Sequence, residues 1–422
     1  MNCRLPAIQR SSCHNLLKAL PGGSALAVLV ALSSMLGCGS AEESFDESAQ
    51  LGAHAEKLVN SVDPSSPEFK GYSPVNAPST AVGDPTFCTA NVSHSYAMFT
   101  RDTSNFIQGQ STPGVGPGSA WAKYGSGPNP RQLGGRPACA FLSNSPNGSN
   151  SYPFILLAKG AVAPNNVSDK RLFWSQGQWT LPTSIGNPPP APTASTPFAP
   201  IDTSANAPQF QTNGNPAAAM HNGQLVVVYL GDDGQLLGNY WTGNGFSATL
   251  VHPTLPTGWT GVGTPTIAFA GGWAQKFVIF IRASYRGLTT GVFETFFENN
   301  RFAGAAGGPA TGYQSVPLPS GHPLSSDPAY EYDDNDSDDF HVGTLYWRSL
   351  KTIYQVSASN GVDQFNVSTL KAIPNPGTAT MIGNPFVLGG VQYEAGHHWL
   401  LVRGSDGVYW NESVQDWMLS PN

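Results

Sequence analysis

The sequence lacks the local signatures by which many catalytic sites are recognised. No HExxH, GxSxG, Walker or Rossmann pattern occurs in it, and the Asp-box S-x-D-x-G-x-T-W of sialidases is also missing. The segments that are predicted to form the innermost strands of the fold contain one carboxylate near their start, Glu331. Glycoside hydrolysis needs two carboxylates that face each other. Function therefore has to be inferred from the organisation of the chain.

Charged residues are scarce, and basic residues are fewer than acidic ones. Charged residues make up 11% of the 422 residues, with 20 Lys and Arg against 27 Asp and Glu and a formal net charge of −7. This balance is the opposite of the basic surface that binds nucleic acid, so no nucleic-acid partner is predicted. The 47 Gly and 36 Pro instead favour many tight turns between uncharged strands.

The apolar run near the N-terminus is too short to span a bilayer. Residues 1–37 have a basic start followed by an apolar run over residues 24–36, which predicts an export signal. The segment ends at Met35-Leu36-Gly37-Cys38, which resembles a bacterial lipobox. The resemblance implies that Cys38 carries a lipid and becomes the first residue, and Gly39 after it implies the outer membrane, on its periplasmic or cell-surface side. An ordinary cleaved signal is the alternative.

Cysteine is also scarce, with five residues in the chain. Cys3 and Cys13 would leave with the signal and Cys38 would take the lipid, so Cys88 and Cys139 remain. The sequence contains repeats, and these two residues occupy nearly equivalent places in the first and second of them. The export compartment permits a disulfide between the two cysteines. Two buried free thiols are the alternative.

What the sequence does contain is a unit that is repeated six times. Each unit begins at a proline turn: Asp84-Pro85, Arg136-Pro137, Asn215-Pro216, Thr264-Pro265, Asp327-Pro328 and Asn384-Pro385. Three short apolar runs follow, rich in Val, Ile, Phe and Tyr and bounded by Gly, Asn, Asp and Ser, which predicts three strands. The second runs are apolar on both faces, which indicates strands that are covered from both sides.

Each repeat is predicted to close on an aromatic residue: Trp121, Trp179, Phe246, Phe302, Phe365 and Trp417. The pattern predicts an all-β fold, a six-bladed β-propeller of four-stranded antiparallel blades over residues 84–422. Residues 38–83 are predicted to form a tether, in which the part around Phe69–Tyr72 is a candidate outer strand for the last blade. The proline-rich stretch 182–214 is interpreted as a surface excursion and not as a further blade.

A basic residue ends the second strand in five of the six repeats: Arg101, Lys159, Arg282, Arg348 and Arg403. A propeller would place these residues on one face, near the clefts between blades. The planar fork of donors on Arg suits carboxylates and vicinal hydroxyls. The alternative is that each basic residue caps its blade by pairing with a neighbouring turn.

The segment WLLVRGSDGVYW at residues 399–410 and the closing aromatic resemble the repeat of propeller lectins, of the six-bladed fucose-binding and tectonin-like types. The resemblance covers about residues 84–422. In the fucose-binding type, an Arg ends the second strand, a Glu or Gln lies on the third, and an aromatic residue stacks on the sugar. The resemblance therefore implies a set of ligand-binding residues: Arg101 with Gln108, Arg348 with Gln355, Arg403 with Trp410, and Arg282.

An acidic run lies in the first hairpin of the fifth repeat. Asp334, Asp336 and Asp338 reproduce the D-x-D-x-D opening of a calcium loop, although the sixth position is Asp339 instead of Gly and the twelfth is Leu345 instead of Glu. A solvated turn is the alternative to a calcium site. No other cofactor is predicted.

The sequence thus predicts a lipid-anchored, non-catalytic binding module whose partner is a glycan or another hydroxyl-rich ligand. A protein-binding scaffold is one alternative. The other is a propeller glycoside hydrolase, sialidase-like but without Asp-boxes, with Glu331 or Glu294 as the acid or base. The sequence alone leaves open whether the protein is an enzyme.

Overall fold

The structure is a computed structural model of the chain. The residues it describes are 69–75, 81–88, 96–112, 119–125, 131–142, 151–160, 170–180, 190–204, 210–271, 275–304, 312–335, 340–358, 365, 367–373, 375, 379–388, 397–407 and 409–415. All of them belong to one compact unit, His54–Asn422. The predicted signal, the predicted lipidation site Cys38 and most of the predicted tether lie outside the described residues. Within the described ranges, no helix has the length and apolarity needed to cross a membrane.

Six antiparallel sheets form the fold, one for each predicted repeat, and each sheet is a blade. The inner strands are Thr86–Cys88, Leu133–Phe141, Ala217–His221, Thr266–Ala270, Ala329–Asn335 and Phe386–Leu388. The second strands are Tyr96–Arg101, Ser151–Gly160, Gln224–Leu230, Lys276–Tyr285, Phe340–Ser349 and His397–Arg403. The third strands are Ile107–Thr112, Leu172–Thr180, Leu236–Tyr240, Thr289–Glu298, Thr352–Ser357 and Tyr409–Gln415. The three apolar runs of each repeat are therefore confirmed as strands.

The outer strands are shorter and more variable than the other three. They are Ala122–Lys123, Thr193–Ala194 with Ala199–Pro200, Leu250–Val251, Arg301–Phe302 with Gln314–Val316, Lys371–Ile373 and, for the last blade, Phe69–Val75. In the fourth blade, Trp259–Gly261 is a further short strand that pairs with the second strand, as the inner strand also does. A 3-10 turn covers Val367–Thr369. Two of the outer pieces lie within the stretch 182–214, so part of that predicted excursion belongs to the second blade.

The last blade takes its outer strand from the N-terminal side of the propeller. Phe69–Val75 pairs antiparallel with Tyr409–Gln415. The edge of the last sheet is therefore covered by residues that precede the first proline turn, and these include the candidate outer strand predicted around Phe69–Tyr72.

Apolar side chains fill the space between neighbouring blades. A cluster of buried residues occupies each of the six junctions, including the junction between the sixth blade and the first, so the sheets close into a ring. Between the fourth and fifth blades, Phe280 packs against Tyr330 with ring centroids 4.5 Å apart, and Trp347 is fully buried. The predicted six-bladed β-propeller is thus confirmed.

Two further features join the first and second blades. Cys88 and Cys139 form a disulfide between the two inner strands, with Cα atoms 5.8 Å apart. Trp179, predicted to close the second repeat, lies instead inside the third strand and is fully buried. Its indole Nε1 donates a hydrogen bond of 3.0 Å to Ser111 Oγ of the first blade. The indole therefore fills the junction between the blades and not the end of the repeat.

Candidate functional site

The residues that precede the six repeat prolines meet around the propeller axis. This set, the axial ring, consists of Asp84, Arg136, Asn215, Thr264, Asp327 and Asn384. The amide N–H of Arg136 donates to Asn215 Oδ1 at 2.9 Å, and Asn215 Nδ2 donates to Thr264 Oγ1 at 2.9 Å. Each of these bonds joins one blade to the next, so the second, third and fourth blades are linked at one end of their inner strands.

The rest of the axial ring continues in the same way. The amide N–H of Asp327 donates to Asn384 Oδ1 at 2.9 Å, and Asn384 Nδ2 donates to Asp84 Oδ2 at 2.9 Å. Thr264 hydrogen-bonds to Asp327 through both its backbone and its side chain. Burial raises the pKa of Asp327, while the charges of Arg282 and Arg136 and the bonds from Thr264 lower it. Only the step from Asp84 to Arg136 is electrostatic and not a hydrogen bond.

A glycine precedes five of the six axial-ring residues: Gly83, Gly135, Gly214, Gly263 and Gly383. Gly263 has a φ of +80°, and a Cβ there would lie 1.8 Å from Asp327 Oδ1. Gly135 has a φ of +72°, and a Cβ there would lie 2.0 Å from Asn215 Oδ1. The close approach of the next blade therefore requires glycine at these positions. A repeated Gly-x-Pro pattern is the sequence signal that could have located the axial ring.

The basic residues at the ends of the second strands contact turns near the axis. Arg282 Nη2 lies 3.3 Å from Asp327 Oδ1, and Arg403 Nε lies 3.8 Å from Asp84 Oδ1. The side chains of Arg282 and Arg403 remain 22% and 29% exposed. Both contacts reach the axial-ring residue of the following blade, as the capping alternative requires.

The other basic residues also make contacts within the protein. Lys159 Nζ donates to Asn213 O at 2.9 Å, in the turn before the third inner strand. Arg348 donates from Nε to Gly383 O at 3.1 Å, from Nη2 to Ser325 O at 2.9 Å, and from Nη1 to Leu350 O. Arg101 donates from Nη1 to the side chain of Asn105. These contacts describe blade caps, and a role in ligand binding stays a prediction.

The strand register separates some of the predicted ligand-binding pairs. Arg101 lies opposite Ile107, so Gln108, the next residue, points to the other face of the sheet. Arg348 lies opposite Ile353, which leaves Arg348 and Gln355 on the same face. The spacing is seven in both cases, but the hairpin is one residue longer in the first blade. That single residue reverses the face on which the second member lies.

The structure also places Gln108, Arg403 and the backbone of Trp410, which belong to the predicted ligand-binding set. Gln108 is buried and donates from Nε2 to Asp102 Oδ2 at 2.8 Å within its own blade. Arg403 lies opposite Tyr409, so the backbone of Trp410 is at a position of the opposite face. The side chain of Trp410 lies outside the described residues. The register therefore places Arg348 and Gln355 on the same face of their sheet and Arg101 and Gln108 on opposite faces.

The two carboxylates considered for a hydrolase are inaccessible. Glu331 is 1% exposed and accepts a hydrogen bond of 2.5 Å from Tyr346 Oη within its own blade. Glu294 is 0% exposed on the third strand of the fourth blade. General acid–base catalysis requires the carboxyl group to reach the substrate. Neither residue, as placed, contributes to an open cleft.

The predicted calcium loop falls largely outside the described residues. This applies to Asp336, to Asp338 and to the side chain of Asp334, whose backbone belongs to the strand Ala329–Asn335. Across the ranges that the structure does describe, no group of three or more His, Cys, Asp or Glu could hold a metal ion. The calcium site stays a prediction.

Three half-buried aromatic residues meet between the second and third blades. Trp174, Trp241 and Phe246, the interblade aromatic cluster, have ring centroids 5.2 to 5.6 Å apart in edge-to-face arrangements. Gln176 lies two residues after Trp174 on the same face of the third strand and is also half-buried. Sequence reasoning identified Phe246 alone, because the two indoles come from different blades and meet only in the folded ring.

A cavity of about 220 Å³ lies on the propeller axis, lined by the six inner strands. The side chain of Arg136 lines it at the end formed by the axial ring. His221 and Phe269, near the other end of their strands, are half-buried and stack with centroids 3.4 Å apart. Phe87, Phe141 and other apolar residues form much of the wall. The wall of the cavity is therefore about equally polar and apolar, and Arg136 makes one end cationic.

No protein-family profile matches the sequence, and no curated protein is detectably similar to it. Solved structures do match. An α-L-arabinofuranosidase from Fusarium graminearum is 11% identical, with 82% of this chain and 98% of that chain covered and a TM-score of 0.50. A six-bladed fucose-binding lectin from Aleuria aurantia is 12% identical, with 82% and 93% covered and a TM-score of 0.48.

A sialidase from Trypanosoma rangeli is 13% identical, with 82% of this chain and 58% of that chain covered and a TM-score of 0.46. The predicted resemblance to fucose-binding propeller lectins is thus found again among solved structures. At these identities the likeness concerns the fold alone. The chain is an all-β protein with the six-bladed β-propeller fold.

Proposed function

We propose that this chain is a non-catalytic carbohydrate-binding module that is exported as a lipoprotein and held at the outer membrane through Cys38. The observation that carries the proposal is the interblade aromatic cluster of Trp174, Trp241 and Phe246. These three large aromatic side chains stay half-buried at a blade junction, whereas the aromatic residues that build the core, such as Trp179 and Trp347, are fully buried.

The chemistry of the cluster suits a sugar. An indole ring offers an apolar face to the C–H groups of a pyranose, and the polar edge of the sugar needs hydrogen-bond partners beside that face. Gln176 supplies an amide there, and among the described residues none takes a hydrogen bond from its side chain. A second supporting feature is the pair Arg348–Gln355, which the register places on one face of the fifth blade.

The fold itself does not choose between binding and catalysis, because glycosidases and lectins share it. The burial of Glu331 and Glu294 favours the binding module over the hydrolase. The scaffold alternative would instead assign Trp174, Trp241 and Phe246 to packing against the core of this junction. A single shallow cluster implies modest affinity, since an aromatic contact contributes about 0.5–1.5 kcal/mol beyond the area it buries.

The proposal is tested by glycan-array binding of the purified chain, followed by titration with the best glycan. Trp241→Ala is expected to weaken binding at least tenfold, because it removes one stacking face. Trp259→Ala is the matched control, since Trp259 is also a half-buried indole but lies in the fourth blade. Arg348→Ala tests separately whether the pair Arg348–Gln355 contributes to glycan binding.

Binding to no glycan, or equal losses in Trp241→Ala and Trp259→Ala, would overturn the proposal and favour the scaffold. Turnover of aryl-glycosides that disappears in Glu331→Gln would instead restore the hydrolase. The membrane anchor is tested separately by palmitate labelling in a bacterial host, which Cys38→Ser is expected to abolish. Labelling that survives in Cys38→Ser would contradict the anchor without affecting the carbohydrate proposal.

A further inference from the structure

Arg136 differs from the other five members of the axial ring. The others are neutral or acidic, and each uses a side-chain oxygen to accept a hydrogen bond from a neighbouring blade. The guanidinium of Arg136 lies instead beside the sixth blade. Its Nη1 is 3.5 Å from Pro385 O, and its Cζ lies 5.6 Å from the centroid of the Phe386 ring. The side chain therefore reaches from the second blade to the sixth.

The hydrogen-bonding capacity of this guanidinium is largely unused within the protein. Arg136 is 8% exposed, and the bond to Pro385 O is the one hydrogen bond that its five N–H donors make to described residues. Burial lowers the pKa of Arg136, and the negative charges of Asp84 and Asp327 raise it. A buried charge is costly unless it is paired and hydrogen-bonded, so the arrangement is suited to a further acceptor.

The two nearby carboxylates are already engaged by other cations. Asp327 pairs with Arg282 and Asp84 pairs with Arg403, and no described carboxylate forms an ion pair with Arg136. Arg348 also reaches the axial ring, where its Nε donates to Gly383 O, so four guanidinium groups face two carboxylates there. In a chain whose formal charge is −7, this is a local excess of positive charge that attracts anions.

The cavity beyond Arg136 limits the size and character of such an anion. Its volume of about 220 Å³ is below the ~300–1,000 Å³ of pockets for drug-sized ligands. About half of its wall is apolar, formed by inner-strand residues such as Phe87, Phe141 and Ala218, and the other half is polar. At the far end, Met220, His221 and Phe269 are half-buried, so solvent reaches the cavity there. The small volume, the apolar half of the wall and the cationic end suit one small molecule with an apolar body and a single anionic group.

We propose that the axial cavity binds a small organic carboxylate, with the carboxylate held by the guanidinium of Arg136 and the apolar part lying against the inner strands. Arg and a carboxylate can form two parallel hydrogen bonds, which gives geometric selectivity as well as attraction. This site is separate from the interblade aromatic cluster, and it does not depend on the carbohydrate proposal.

The test is calorimetric titration of the purified chain with benzoate, and with benzyl alcohol as its neutral analogue. Benzoate is expected to bind with a stoichiometry of one and benzyl alcohol about ten- to a hundredfold more weakly, which is the effect of one charge-assisted hydrogen bond. Arg136→Met is expected to weaken benzoate binding by the same factor, so that this variant binds benzoate and benzyl alcohol equally. Trp241→Ala is expected to bind benzoate like the wild type, because Trp241 lies between blades and not in the axial cavity.

A second variant keeps the test decisive if Arg136→Met does not fold. Ala218→Leu narrows the cavity but leaves Arg136 and the axial ring unchanged, and it is expected to weaken benzoate binding at least tenfold. The proposal is overturned if the wild type shows no saturable benzoate binding or binds benzyl alcohol equally well. It is also overturned if a folded Arg136→Met variant, or a folded Ala218→Leu variant, binds benzoate like the wild type.

Discussion

The axial ring and the layers between blades hold the same six sheets together by different means. Between blades, large side chains such as Phe280, Tyr330 and Trp347 are buried against one another, and apolar attraction of this kind has no preferred direction. Around the axis, small polar groups such as Asn215 and Asn384 each meet one defined partner in the next blade. We infer that the layers provide most of the stability and that the axial ring fixes how neighbouring blades are aligned.

The largest effect is expected in a layer between blades. Trp347→Ala should lower the free energy of unfolding by about 3–5 kcal/mol, because it leaves a cavity between the fourth and fifth blades. It also leaves His322 O without the indole hydrogen bond of 3.2 Å. Denaturant unfolding measures the change, and Trp347→Phe, which keeps most of the volume, should cost less. A loss below about 1 kcal/mol for Trp347→Ala would contradict the primary role given to the layers.

A smaller effect is expected in the axial ring. Asn384→Ala removes the acceptor of the Asp327 N–H and the donor to Asp84, so it should cost about 1–3 kcal/mol. Gln224→Ala is the matched control, because its side-chain hydrogen bond to Asn300 is exposed and should contribute about 0.5 kcal/mol or less. Equal losses of unfolding free energy in the two variants would show that a hydrogen bond of the axial ring stabilises the fold no more than an exposed one.

The smallest effect at neutral pH is expected where a polar group lies inside an apolar layer. His252, between the third and fourth blades, has Nδ1 2.8 Å from Pro253 O and Nε2 2.7 Å from Thr295 Oγ1. Because a carbonyl oxygen can only accept, Nδ1 carries the proton and Nε2 accepts from the Thr295 hydroxyl. Burial lowers the pKa of His252 from its ordinary 6.5, and the bond to Pro253 opposes this shift.

The sign of the pH effect follows from that lowered pKa. Below pH 6.5 the unfolded chain binds a proton at His252 more readily than the folded chain does, so stability is lost as the pH falls from 6.5 towards the folded pKa. Unfolding free energies measured from pH 8 to pH 5 should therefore decline less steeply in His252→Gln than in the wild type. Parallel curves would show that the junction tolerates a charged imidazole.

The strands could be predicted because burial on both faces requires an apolar residue at nearly every position of the run. The runs FVIFI and VVVYL became the second strands Lys276–Tyr285 and Gln224–Leu230 for this reason. The side-chain pairs were less predictable. Arg101 and Gln108 have the same spacing as Arg348 and Gln355, yet one additional hairpin residue places them on opposite faces.

The parts of the site that escaped prediction depend on contacts between distant residues. Asn384 meets Asp84 across 300 positions of sequence, and Trp174 meets Trp241 across two blades. No local pattern encodes such meetings, because each of them joins residues of two different blades. The Gly-x-Pro repeat was visible in the sequence, but its meaning depends on the close approach seen at Gly263 and Gly135.

The strand Phe69–Val75 has a consequence for the order in which the molecule assembles. Its partner, Tyr409–Gln415, lies at the other end of the propeller sequence, so the sixth sheet joins segments separated by five complete blades. Contacts of such long range form slowly, because the intervening chain must be arranged before its ends can meet. Assembly should therefore pass through an open arc of blades, and a chain truncated before Tyr409 would remain in that arc with two unpaired edges.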